Sequence, residues 1–213
     1  MADGTDGGAV MKISLLIEGR TEKAFLPHLR QFLETRLHGK MPNVDPLPYH
    51  GRIPKGEKLK RVVENLLSNG DRAADAVVAL TDVYTGTREF NDAADAKAKM
   101  RAWVGPETRF HPHAAQHDFE AWLLVYWADI VKLAGHNKRS PGKNPEDVNH
   151  DKPPAYHIQE LFEVGSCRSS YVKPRDANRI LQGKDLLVSA NACPELKALL
   201  NTILQLCDGN IIP

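Results

Sequence analysis

Residues Ala76 to Leu80 read AVVAL, an unbroken apolar run with polar residues on either side. A strand with one face in water alternates apolar and polar side chains. A short run without alternation therefore points to a strand covered on both faces, as in the middle of a parallel sheet with helices above and below. The rest of the chain agrees with an α/β reading. Lys12 to Ile17 is a second extended run, and Asn43 to Tyr49, interrupted by prolines, is at best a short or edge strand. Phe110 to Ala114 gives a further short strand. Between them, Phe25, Leu29, Phe32, Leu33 and Leu37 fall at helical spacing and predict a helix over Thr21 to Leu37. Lys58 to Leu67, Phe90 to Val104, Phe119 to Leu133, Ala155 to Phe162 and Pro194 to Leu206 read as further helices. The polar, proline-rich stretch from Asn137 to Pro154 reads as a connection. The expected organisation is a leader over residues 1–10, an α/β domain over 11–136 with a parallel-rich sheet, and a smaller, mainly helical C-terminal extension over 137–213.

Composition excludes several alternatives. Lys and Arg number 28 against 27 Asp and Glu, a formal net charge of +1, so no global basic field captures a polyanion and any such binding must be local. One local surplus exists: Val164 to Lys184 holds Arg168, Lys173, Arg175, Arg179 and Lys184 against Asp176 alone. The three cysteines, Cys167, Cys193 and Cys207, form no Cys-x-x-Cys pair, which fits a reducing cytoplasm better than a disulfide framework. No apolar run approaches the roughly 20 residues a membrane span needs, so no membrane partner is expected.

In an open α/β sheet the ligand crevice lies beyond the carboxyl ends of the strands. Acidic residues fall at those ends: Glu18 after the first strand, Asp82 after AVVALT, and Asp118 with Glu120 after the Phe110 strand. Glu22, four residues after Glu18, lies in the first turn of the following helix and can face the same crevice. Carboxylates gathered in this way repel one another unless cations neutralise them, and an all-oxygen set suits Mg²⁺ or Mn²⁺. Each also has an ordinary reading: Glu22 as a favoured acid at a helix start, and Asp118 as the N-cap of the helix that follows.

The order of these motifs carries a resemblance. IEGRTE at Ile17 to Glu22, a buried strand ending in Asp82 and a later acid pair resemble the Toprim metal fold of topoisomerases, primases and OLD-type nucleases. LTDVYTGTREF at Leu80 to Phe90, QHDFEAWLL at Gln116 to Leu124, NPEDVN at Asn144 to Asn149 and YVKP at Tyr171 to Pro174 resemble, more closely, the bacterial family called domain of unknown function 4276, over roughly Lys12 to Leu206. The resemblance implies a metal-dependent nuclease acting on DNA or RNA. Glu18 and Asp82 would hold one metal, Glu22, Asp118 and Glu120 a second, and Lys173 would offset transition-state charge. It also implies a separately encoded ABC- or SMC-type ATPase partner and a setting in anti-phage defence. The sequence departs from the Toprim pattern at Tyr84, which stands where that pattern has a second Asp.

Two other readings stay open. One is a Toprim-like module without catalysis, a scaffold or sensor for a partner ATPase, favoured by Tyr84. The other is a phosphatase, because DVYTGT resembles the nucleophile motif of the haloacid-dehalogenase class, with Asp82 as phosphoryl acceptor and Thr85 or Thr87 in support. Tyr84 stands where that motif has its general acid, and tyrosine titrates too high for the role. His111 and His113 share a strand face and suit zinc by spacing, but no cysteine or glutamate nearby completes a set. They read as strand-end residues, with His117 beside the crevice. Trp122, Tyr126 and Trp127 read as helix core rather than a stacking platform for bases.

Overall fold

The computed structural model of the protein describes residues 10–39, 41–83, 89–149, 151–167 and 170–213. Most of the expected leader, together with Tyr84, Thr85, Thr87 and Arg168, lies outside the described residues. The chain forms β1 (Lys12–Ile17), α1 (Arg20–Glu34), β2 (Asn43–Pro48), α2 (Glu57–Ser68), β3 (Ala76–Asp82), α3 (Ala93–Val104) and β4 (Phe110–Ala115). A 3₁₀ segment (Phe119–Tyr126) follows, then α4 (Trp127–Ala134), α5 (Pro154–Val164), α6 (Lys173–Leu181), α7 (Leu186–Ala192) and α8 (Pro194–Leu206). The strands make one sheet in the order β2-β1-β3-β4, every pair parallel. The AVVAL strand is central, and the proline-bearing strand is at the edge, where its missing N–H groups cost no ladder bond.

The two faces of the sheet are filled by alternate residues. Ile13, Leu15 and Ile17 of β1 with Val78 and Leu80 of β3 join α1, the 3₁₀ segment and the C-terminal helices in one apolar cluster. Leu16, Val77 and Ala79 pack on α2 and α3 on the other face. Each Leu, Ile or Phe removed from water there stabilises the fold by about 1.5–3 kcal/mol. This split follows from the strand order. The chain leaves β1 in one direction for β2 and then returns past β1 to β3. With right-handed crossovers, α1 must lie on one face and α2 on the other. β1 and β3 are therefore neighbours whose connections diverge, the topological switch point where such sheets open a crevice.

Some helix boundaries differ from the periodicity. α3 starts at Ala93, not near Phe90, because the Asp92 carboxylate accepts the Asp95 N–H at 2.7 Å and fixes the N-cap. Phe90 instead packs with Val83, Ala93, Ala96 and Ala114. The Phe119 to Leu133 helix is two elements. Every residue from Phe119 to Leu124 is buried, and tighter 3₁₀ winding sets residues three apart over one another, bringing the Phe119 and Trp122 rings to 5.3 Å. The Trp122 carbonyl freed from an α-ladder accepts the Ser189 hydroxyl at 2.7 Å. The basic stretch after residue 168 contains α6, and α7 had no counterpart in the sequence reading.

Candidate active site

Three neighbouring strands deliver acids to one edge of the sheet. Glu18 directly follows β1, and Asp82 ends β3. The residue after β1 lies beside Thr81 in the parallel register, where the Thr81 hydroxyl donates to Glu18 Oε1. Asp118 comes three residues after β4, beyond His117, whose φ of +68° is a left-handed conformation uncommon for a residue with a side chain. That turn brings Asp118 and Glu120 back toward the other strand ends. Glu22, on the first turn of α1, accepts the Gly19 N–H at 3.0 Å and so caps the helix as well as facing the crevice. Asp118 does not cap the segment it begins. Its Oδ2 accepts the Ala155 N–H at 3.1 Å and caps α5 instead.

Glu18, Glu22, Asp118 and Glu120 are buried and Asp82 partly so. Burial raises the Glu18 pKa to about 7, with the Glu22 charge adding to it and the Thr81 hydrogen bond opposing. Burial, then Glu120, raises Asp118 to about 8. Glu22 is raised by burial and then by Glu120, and Asp82 is raised well above the usual carboxylate range by burial and then by Glu22, Glu18, Asp118 and Glu120. Glu18, Glu22, Asp82 and Asp118 thus form one electrostatic unit that holds protons when no cation is present.

The donor set fits a hard divalent cation: all oxygen, mostly buried, with Asp118 Oδ1 buried and accepting no hydrogen bond. Among the described residues, however, no three His, Cys, Asp or Glu side chains meet as a ready cage. Mg²⁺ commonly takes one or two carboxylates and completes its shell with water and substrate phosphate, so an open arrangement is compatible with it.

Lys173 Nζ stands 3.2 Å from both oxygens of Glu120. Burial lowers its pKa, but Glu120, Asp118 and Asp82 outweigh that and raise it. Tyr171, two residues earlier, donates to Glu120 Oε1 at 3.4 Å, and burial followed by the charge of Glu120 pushes its phenol far up. Glu120 already has an ammonium partner, which sets it apart from the Glu18 and Asp82 side of the crevice.

Among the described residues, the remaining cations of the basic strip are paired. Arg175 and Arg179 both pair with buried Asp176, at 2.8 and 3.1 Å, and Lys184 pairs with Asp129 at 2.8 Å. The histidines do not gather either: His113 Nε2 lies 3.0 Å from Thr202 Oγ1, and burial pushes its pKa down to about 3. Trp122, Tyr126 and Trp127 are buried, each anchored by one hydrogen bond, to Glu146, the Asp185 carbonyl and the Lys138 carbonyl. The sequence reading missed Thr81 and Tyr171 as partners of the carboxylates. Tyr171 had a signal, its place two residues before Lys173; Thr81 had only its position before Asp82.

The family model described as Domain of unknown function (DUF4276) matches residues 17–204. The chain is similar in fold to the C-terminal region of the Burkholderia pseudomallei OLD protein, with a TM-score of 0.50 and 13% identity over 92% of this chain and 98% of that one. No curated protein matches the chain.

Proposed function

This chain belongs to the family described as domain of unknown function 4276, and from that premise we propose that its carboxylate crevice is the active site of a divalent-metal-dependent nuclease. The observation that carries the reading is the gathering of five acidic side chains at the switch point of a parallel sheet, four of them buried, with Asp118 Oδ1 unbonded. Such a concentration of like charge destabilises the fold when ionised, and cation binding is the ordinary compensation. Glu18 and Asp82 would hold the ion, with Asp118, Glu22 and Glu120 completing the negative wall. A bound Mg²⁺ or Mn²⁺ supplies Lewis-acid polarisation of the phosphodiester and a water acidic enough to attack near neutral pH. Thr81 fixes one Glu18 oxygen and leaves the other to coordinate. Tyr171 and Lys173 orient Glu120, and the Lys173 ammonium stabilises charge that accumulates on the phosphoryl oxygens.

No stretch of the chain matches G-x-x-x-x-G-K-[ST]. We propose a separately encoded ABC- or SMC-type ATPase as its partner, in an anti-phage setting, on the likeness to the OLD protein region. The nuclease reading is tested with DNA and RNA in Mg²⁺ or Mn²⁺, comparing wild type with Glu18→Gln and Asp82→Asn. Each substitution keeps the side chain's shape and removes its charge. Loss of cleavage by about 100-fold or more in both supports the reading. Wild-type rates in both variants overturn it.

A further inference from the structure

The crevice needs a surface that brings a polyanion to it, and the cations of α6 are committed to carboxylates of this chain. Beside the crevice, on the β2 side, lies a recess of about 490 Å³ whose lining includes Arg20, Lys23 and His50. These side chains are exposed, and none makes a hydrogen bond or ion pair with the described residues. Arg20 and Lys23 stand two and one residues after Glu18 and Glu22, yet their heads turn to solvent rather than neutralising those acids. His50 follows β2, held at a φ of +49°. The same backbone ties the recess to the crevice: the Tyr49 N–H bonds the Ile17 carbonyl at 3.0 Å and the Gly51 N–H bonds the Glu18 carbonyl at 2.8 Å.

Resting on the nuclease reading, we infer that this recess receives the phosphate backbone of the nucleic acid next to the scissile bond, with Arg20 and Lys23 contacting phosphates and His50 donating a ring N–H. Two unpaired cations beside a negative crevice solve a definite problem. They offer counter-charge to flanking phosphates where the carboxylates would otherwise repel them, and they do so locally in a chain of net charge +1.

The test measures binding of short fluorescein-labelled single-stranded DNA, the same sequence as RNA, and duplex DNA by anisotropy, in EDTA so that nothing is cleaved, over a series of salt concentrations. Arg20→Glu/Lys23→Glu weakens binding about tenfold or more at physiological salt and flattens the log-log salt slope by about 1.4 to 1.8, the value for two phosphate contacts. Lys132→Glu, on the exposed face of α4, binds as wild type does. The arm with the largest loss names the preferred polymer. An unchanged affinity and slope in the double variant, an equal loss in Lys132→Glu, or no wild-type binding in any arm overturns the inference. Glu18→Gln separates the two proposals. Binding that depends on Arg20 and Lys23 without any metal-dependent cleavage removes only the nuclease reading.

Discussion

Replacing Glu18 with Gln should stabilise the metal-free protein above neutral pH while disabling the site. The folded-state pKa of Glu18 is about 7 against an ordinary 4.5, so the folded chain holds this proton more tightly than the unfolded chain. Stability from that proton is fully present below about pH 4.5, falls as the pH rises toward 7, and is gone above it. The raise corresponds to about 3 kcal/mol. Gln keeps an oxygen to accept the Thr81 hydroxyl but cannot ionise, so near pH 8 the variant gains up to about 3 kcal/mol over wild type, and near pH 4.5 the two coincide. Because Glu22 and Asp82 share the repulsion, their own ionisation absorbs part of the gain. For a chain of this size, about 2–4 °C per kcal/mol makes the difference about 6–12 °C at most. Thermal melts in EDTA across this pH range measure it, and Mg²⁺ or Mn²⁺ should restore wild type but not the variant. A variant that melts at or below wild type near pH 8, or an offset independent of pH, would refute the electrostatic account of the crevice.

Divalent metal should raise the melting temperature of wild type more near pH 8 than near pH 6, because the carboxyl groups of Glu18 (about 7) and Asp118 (about 8) must shed protons to bind it; equal gains at both pH values would contradict this. Lys173→Met leaves the Glu120 carboxylate, 1% exposed, without its ammonium. It should lose about 1–2 kcal/mol, discounted because Lys173 is itself half exposed, and Glu120→Gln in the same chain should recover most of the loss; additive losses in chemical denaturation would argue against the pair. Gly165→Ala should cost about 2 kcal/mol or more, because a Cβ there meets the Ala134 carbonyl oxygen where α5 ends against α4. A melting temperature within a degree of wild type would show that this junction is looser than described.

The sheet was legible because its strands announce themselves locally. AVVAL has no alternation, KISLLI closes on three consecutive apolar residues, and proline marks β2 as an edge. The switch point needs the strand order as well, which only the structure supplies, and with right-handed crossovers it sets the place where Glu18 and Asp82 meet. What could not be read depends on contacts distant in sequence. In sequence the basic strip reads equally as a phosphate-facing surface or as solvated charge, because Asp176 counts as one charge in composition, whereas in the fold its buried carboxylate holds two arginines. Asp118 looked like a local N-cap, but its hydrogen bond goes to Ala155, 37 residues on. The 3₁₀ winding after Phe119 is set by burial on every side, and helical periodicity is silent when no face is polar. Arg20 and Lys23 do not stand out within IEGRTEK, because their importance lies in lacking partners among the described residues, which a sequence does not display.

Glu22 and the lysine of the crevice lie far apart in the chain. α1, which carries Glu22, is joined to α6, which carries Lys173, through His28 Nε2 and Asn178 Oδ1 at 2.9 Å, across a separation of 150 residues. Closing so long a loop costs chain entropy, which the packing of α6 on α1 must offset. The counter-charge to Glu120 therefore stands in place only where α6 has docked on α1.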